Sequence, residues 1–363
     1  MPLRVAVIGA GPCGSLVGRL LAKRGHEVFL LEEHAEVGRP RHCTGLVSRD
    51  VPSYYGMTGK KAHILEEFSE AELIYGRRSL VLKLEPSAVA LEREGFELEL
   101  ANMASEAGVR IRFGERVTQV RTNSEGRREV VSEARGMKEN VDVDAVVDCG
   151  GAREGLAGLQ YEVEGSGPSI PQVYFERGIP REYFYWVVPQ GEGRYLVGTA
   201  GRGAVKRKLD AFMGSQMLKE RLEVAKVVRT FGGIVVIKPP SSPYSSRFQG
   251  VLAAGDAANQ VKVTTGGGLA FAAASASALA DAINRGEIWR YASWFKRRKN
   301  LIKAYAFLRH VYIWLPPSTM EMAFNERMQD YLTGHPLLFD QHWEYFVNSA
   351  PAILAALIAR ARG

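Results

Sequence analysis

Residues 4–32 read RVAVIGAGPCGSLVGRLLAKRGHEVFLLE, and their pattern decides the fold. Residues 4–8 form a short apolar, valine-rich run, as expected of a strand buried on both faces. Gly9-Ala10-Gly11-Pro12-Cys13-Gly14 follows at once. From about Ser15 to Arg24, Leu16, Val17, Leu20 and Leu21 recur at helical spacing, and Gly25 supplies a stop. Residues 27–32 then form a second buried strand that ends in an acid, Glu32. Strand, glycine turn, helix and strand together predict the βαβ opening of a dinucleotide-binding fold. Gly9, Gly11 and Gly14 allow a tight turn and a close approach of backbone N–H groups to a pyrophosphate, toward which the helix points its positive end. Cys13 sits in that turn, and Glu32 is placed to accept hydrogen bonds from ribose hydroxyls.

Working outward, residues 33–50 are rich in Gly, Pro, Arg and His and read as loop, and 62–85 read as mixed and strand-like. A helix is predicted from about Phe96 to Ala107, alternating strands over 109–123, a polar hairpin at NSEGRRE, and a buried strand from Val141 to Asp148. Between 170 and 240, the stretches QVYFER, YFYWVVP, RYLVGTA and GGIVVIKP alternate with turns, with one helix from about Lys206 to Leu218. This predicts a largely antiparallel sheet inserted into the nucleotide-binding fold. The chain then returns with GVLAAGDAA and a small-residue helix from about Gly267 to Asn284, and the remainder reads as mostly helical. The expected division is residues 1–165 for the first part of the nucleotide-binding domain, with a small insertion at about 50–85. The sheet domain takes 166–245, the second part of the nucleotide-binding domain 246–286, and the helical C-terminal region 287–363.

A second motif bears on which dinucleotide is bound. Gly255-Asp256-Ala257-Ala258 closes an apolar strand, and Gly266-Gly267-Gly268 opens a helix shortly after it. A late Gly-Asp pair far from the N-terminal turn resembles the way flavoproteins of the glutathione reductase and p-hydroxybenzoate hydroxylase type close over FAD. The resemblance implies an α/β, Rossmann-like FAD-binding fold. It places Asp256 near the ribityl chain or pyrophosphate, and Gly267, Gly268 and Leu269 near the flavin ring.

Three further stretches narrow the resemblance. Residues 38–46 (GRPRHCTGL), 183–189 (YFYWVVP) and 255–268 (GDAANQVKVTTGGG) are similar to segments of the geranylgeranyl reductases, the second to their Y-x-W-x-F-P signature. Arg93 and Phe96 fall where that family carries R-x-x-F. Val188 and Val263 stand where Phe and Pro are usual, and Asp148-Cys149-Gly150-Gly151 departs from the family form. The resemblance implies FAD contacts at Cys13, Glu32, Cys43, Thr44, Leu46, Arg93, Val117, Asp256, Gly268 and Leu269. It also implies reduction of isoprenoid double bonds in a geranylgeranyl lipid or geranylgeranyl diphosphate. An electron-rich, unconjugated double bond needs a proton as well as a hydride, so the site needs an acid and aromatic faces for the developing positive charge. The resemblance places Cys43 beside the flavin, and Tyr183, Tyr185 and Trp186 could supply the faces. The candidate catalytic residues are Cys43, Tyr185 and Trp186, with His42 a weaker acid. Strand alternation puts Tyr183 and Tyr185 on one face and Trp186 on the other. Two competing readings use the same dinucleotide motifs: an aromatic-hydroxylase-type monooxygenase, and a prenyl-binding flavoprotein without catalysis.

Composition sets the outer limits. The chain has 363 residues, 46% of them hydrophobic, enough for a large core and more than one lobe. Its three cysteines and the lack of a signal-like start predict the cytoplasm. No metal is expected, because the seven histidines form no HxxxH, HExxH or Cys–His spacing. The net charge of +7 is uneven: from Arg285 to Arg309 there are eight basic residues and one acid, Glu287. Aromatic residues are interleaved there, which fits an anionic membrane surface or a diphosphate and matches no nucleic-acid module. No second G-x-G-x-x-G appears, so the reductant is expected from outside, as NAD(P)H or a ferredoxin-like protein.

Overall fold

The computed structural model describes residues 1–175, 183–314, 321 and 323–337. The part of the predicted helical tail beyond residue 337 lies outside the described residues.

Five parallel strands form the central sheet, in the order Leu252–Ala253, Ala145–Asp148, Arg4–Ile8, Glu27–Glu32 and Arg110–Phe113. Successive side chains of the first strand point to opposite faces. Val5 and Val7 join one core, against Leu16, Val17 and Leu21 of the helix Pro12–Ala22 and Leu279 of the helix Leu269–Arg285. Ala6 and Ile8 join another, against Val117, Val130 and Val143 of an antiparallel three-stranded sheet, Glu115–Thr122, Arg128–Ala134 and Met137–Val143. Both faces of the first strand are therefore covered, which is why its sequence is apolar throughout.

A second sheet has eight strands. Its order is Glu223–Val235, Leu156–Ser166, Arg194–Gly201, Tyr185–Pro189, Gln172–Phe175, Ile64–Tyr75, Arg78–Leu91 and Leu46–Ser48. Every pairing is antiparallel except one: Gln172–Phe175 runs parallel to residues 72–75. The stretch expected as a small insertion at 50–85 thus contributes a long hairpin to this sheet. The predicted helix at 206–218 is two pieces, Val205–Gly214 and Gln216–Lys219. Between them Ser215 caps the second piece by accepting from the Leu218 amide.

The helix Glu326–Gly334 packs on the outer hairpin strand. Asn325 caps it by accepting from the Met328 amide at 3.0 Å. The Gln329 side chain accepts from Val81 N at 2.8 Å and donates to Val81 O at 3.0 Å, covering an otherwise open strand edge. Among the described residues, no helix is long and apolar enough to cross a membrane.

Candidate functional site

The site is one continuous cavity of about 1160 Å³ between the two sheets. Its polar half is walled by both glycine turns. Gly9 takes φ +91°, which places its own Cα so close to the Cys149 carbonyl that an added Cβ would stand 2.7 Å from that oxygen. An added Cβ at Gly11 would meet no protein atom, so the backbone there is bare toward the cavity. Gly14 is tightest, because a Cβ would lie 1.9 Å from the Gly9 carbonyl oxygen. Gly14 does not line the cavity; it lets the helix start lie against the turn that does.

Two helix N-termini border this half, at Gly11 and Gly268, and neither has a side-chain cap. Their free N–H groups and positive dipole ends suit an anion. Glu32 is fixed at the far side: Ala10 N donates to its Oε2 at 2.7 Å, and His34 N to its Oε1 at 3.0 Å. Asp256 lies beside Gly268, where a Cβ would meet its Oδ1 at 2.7 Å. Burial raises the Asp256 carboxyl above the ordinary range, opposed by His42 and Arg93. Arg93 is buried, paired with Glu97, and its Nε has no hydrogen-bond partner. These uncapped amides, the bare turn and the unused guanidinium nitrogen fit a pyrophosphate-bearing dinucleotide. Gly9, Gly11, Cys13, Glu32, Cys43, Thr44, Leu46, Arg93, Val117, Asp256, Gly267, Gly268 and Leu269 all line the same cavity. Below the turn, the Cys149 thiol donates toward Cys13 Sγ at 3.6 Å, and this contact, followed by burial, pushes the Cys149 thiol up.

The other half is apolar. Ala71 and Leu73 on one hairpin strand, and Leu80, Leu82 and Leu84 on the next, present alternate side chains to it. Phe324, Met328 and Leu332 close it from the helix side.

Between the halves stand Cys43, Tyr183, Phe184 and Trp186. The Tyr183 ring stacks on Phe184 at 4.3 Å and meets Trp186 edge-on at 6.0 Å. An added Cβ at Gly266 would be 3.1 Å from the Tyr183 hydroxyl, so that hydroxyl lies against the second glycine loop. Arg309 sits 5.4 Å from the centre of the Tyr183 ring. Burial pushes the Tyr183 phenol well up, more than Arg309 pulls it down, so it stays protonated through the neutral range.

Tyr185 corrects the sequence reading. It does not line the cavity; it is 3% exposed and stacked at 4.2 Å on Phe212, in the core beneath the helix Val205–Gly214. The regular strand begins only at Tyr185, so alternation holds from there, with Trp186 and Val188 facing the cavity. It does not extend back to Tyr183, which therefore shares the cavity with Trp186. Counted back from Pro189, the tyrosine position of Y-x-W-x-F-P falls on Phe184, and the phenol at the cavity comes from one residue earlier.

One residue was missed. Gln160 Oε1 accepts from Thr44 Oγ1 at 2.6 Å and from Trp186 Nε1 at 3.0 Å. It ties the Cys43 loop to the aromatic wall, and a lone glutamine in an alternating strand gives no sequence signal of this. Gly198 completes the arrangement, since a Cβ there would stand 2.4 Å from Trp186 Cζ2. Gln160→Leu leaves the buried indole N–H without an acceptor. We expect a loss of roughly 1–3 kcal/mol of stability, measured by urea unfolding, with reduced turnover in the protein that remains folded.

The Cys43 loop is also held by charge. Glu94 accepts from Arg39 at 2.9 Å and from Arg229 at 2.7 Å. Burial opposes ionisation of Glu94, but these two bonds overcome it and hold its carboxyl below the usual range. A lowered carboxyl contributes stability above its unfolded value, and that stability is lost as pH falls through the folded one. Melting temperature is therefore expected to fall more steeply with acid in the wild type than in Glu94→Gln.

Comparison with known proteins agrees with this geometry. Residues 2–177 match the model of the FAD binding domain family. A digeranylgeranylglycerophospholipid reductase of Methanothermobacter thermautotrophicus is 30% identical over 85% of this chain and 87% of its own. The chain belongs to the digeranylgeranylglycerophospholipid reductase family. A second relative with that name, from Methanopyrus kandleri, is 29% identical over 74% of each chain. The crystal structure of a geranylgeranyl bacteriochlorophyll reductase-like protein from Thermoplasma acidophilum superposes with a TM-score of 0.81, at 21% identity and 99% coverage of both chains. This member of the family is a flavin-dependent oxidoreductase whose cofactor is FAD.

Proposed function

We propose that the chain saturates isoprenoid double bonds in the geranylgeranyl chains of a glycerophospholipid. The observation that carries this reading is the single cavity: a dinucleotide cradle opens directly into an apolar chamber, with protic and aromatic side chains at the junction. A lipid substrate fits the chamber better than a free diphosphate, because the hairpin and helix walls offer leucine, methionine and phenylalanine rather than a cluster of cations.

FAD, when bound and reduced, supplies the hydride. Gly9, Gly11, Gly267, Gly268 and Leu269 would hold it through backbone amides, Glu32 through the ribose, and Arg93 and Asp256 along the chain between. The remaining work is done by the junction. Tyr183 Oη and Cys43 Sγ are the protic groups there, and we assign the proton delivered to the double bond to Tyr183 Oη, with Cys43 holding the substrate edge. Faces of Trp186 and Phe184 would stabilise positive charge developing on the tertiary carbon. Arg309, near Tyr183, disfavours that charge on its own side and so biases it toward Trp186. Leucines of the hairpin orient the chain and exclude water.

The reductant would come from outside, as NAD(P)H or a small electron-transfer protein. The test is to incubate the holoprotein and a chemical reductant with a digeranylgeranyl glycerophospholipid, then measure product mass. Successive gains of two hydrogens are expected. An unchanged lipid beside flavin that reduces and reoxidises normally in air would overturn the reading.

A further inference from the structure

The helix Ile288–Trp314 contains no acidic residue, and its two faces differ sharply. Tyr291, Phe295, Ile302, Tyr305 and Arg309 are buried on one side. On the other, Trp289 is 62% and Phe307 67% exposed. These two are 18 residues apart, which is five full turns, so they share one line along the helix about 27 Å apart. Between them on that line stand the exposed Lys296, Asn300 and Lys303, flanked by Arg290 and Arg297. The two acids that precede the helix in the chain are paired, Asp281 with Arg285 and Glu287 with Arg290. Arg298 and Lys299 are half-buried and engage the protein instead, Arg298 over the Phe271 ring and Lys299 donating to the Ser241 carbonyl.

Phe307 has a second property: its ring is part of the cavity wall as well as exposed. The chamber therefore opens beside this face. We propose that the exposed face of the Ile288–Trp314 helix docks on an anionic lipid bilayer, with Trp289 and Phe307 entering the interface and the lysines meeting lipid phosphates. A cationic stripe framed by two exposed aromatic rings is complementary to an anionic, partly apolar lipid interface. Docked this way, the cavity mouth meets the acyl region, and a lipid tail enters without crossing water. This deepens the proposed function and rests on it for the identity of the lipid, but the surface itself is testable separately.

The experiment is flotation of the FAD-loaded protein with vesicles of phosphatidylcholine alone, or of phosphatidylcholine and phosphatidylglycerol in equal parts. Binding is expected only to the anionic vesicles, and high salt should release it. Lys296→Gln combined with Lys303→Gln should weaken the partition about 25-fold, at about fivefold for each cation. Circular dichroism and retained flavin colour report that this variant is folded. It should reduce substrate in detergent micelles at the wild-type rate and lose activity only on vesicles. Equal binding to both vesicle types, no binding to either, or anionic binding unchanged in the double variant would each overturn the proposal. Intact anionic binding with no reduction in micelles would instead overturn the reaction and leave the surface standing.

Discussion

Replacing Gly14 by alanine is expected to leave a folded protein that binds FAD much more weakly. The added methyl would lie 1.9 Å from the Gly9 carbonyl oxygen, far inside contact distance. That oxygen is backbone, so the helix start must move away from the turn. The shift falls where Gly9 is already pressed against Cys149 and cannot retreat. Overpacking of this kind costs roughly 1–3 kcal/mol. Because the strain is relieved by splaying the amides that would meet the pyrophosphate, most of it should appear in binding, as a loss of roughly 10- to 100-fold in FAD affinity. Titration of apoprotein with FAD, followed by flavin fluorescence, measures it directly. Wild-type affinity in Gly14→Ala would mean that the turn does not set the cradle.

The second large effect separates two adjacent tyrosines. Tyr183→Phe should lower turnover by roughly 100- to 10,000-fold, the usual contribution of a positioned general acid. Tyr185→Phe should change turnover by no more than roughly twofold, as expected for a substitution away from the site, and cost about 1 kcal/mol of stability by removing the hydroxyl that donates to the Lys208 carbonyl at 3.4 Å. The hydroxyl of Tyr183 lies at the cavity junction against the second glycine loop, whereas the ring of Tyr185 is stacked on Phe212 in the core. Turnover alone would not distinguish a lost proton from a misplaced wall. The rate at which substrate reoxidises the reduced protein without oxygen, compared in light and heavy water, supplies the second readout. Wild type should show a solvent isotope effect, and Tyr183→Phe should lose it together with the rate. Equal losses at both tyrosines would return the pair to a purely structural role.

These two cases also show what the sequence makes legible. Gly9, Gly11 and Gly14 are legible because their spacing is local: Gly9 takes a positive φ, Gly11 leaves the backbone bare, and Gly14 admits the close approach of the Gly9 carbonyl. Their meaning survives without knowledge of the rest of the chain. The same holds for Asp256 and the glycines after it, and both turns do line one cavity. Tyr183 is harder to read, because period-two alternation applies only inside a strand and the strand begins at Tyr185. Gln160 is harder still: its importance lies in two donors, Thr44 and Trp186, distant along the chain. The long hairpin reads as strands, but its place does not. Its parallel pairing with Gln172–Phe175 spans about a hundred residues and has no local signature.

That parallel pairing has an evolutionary consequence. The leucine-bearing hairpin joins the body of its sheet through one short strand, while the two glycine turns of the cofactor cradle belong to a different sheet, and Leu46 and Arg93 stand at the end of the hairpin opposite its tip. Inserting or deleting a residue pair near the hairpin tip, Gly76-Arg77, would lengthen or shorten the greasy wall by one alternation and leave the nucleotide scaffold untouched. Selection for tails of another length could thus act on a handful of codons, with electron transfer inherited unchanged.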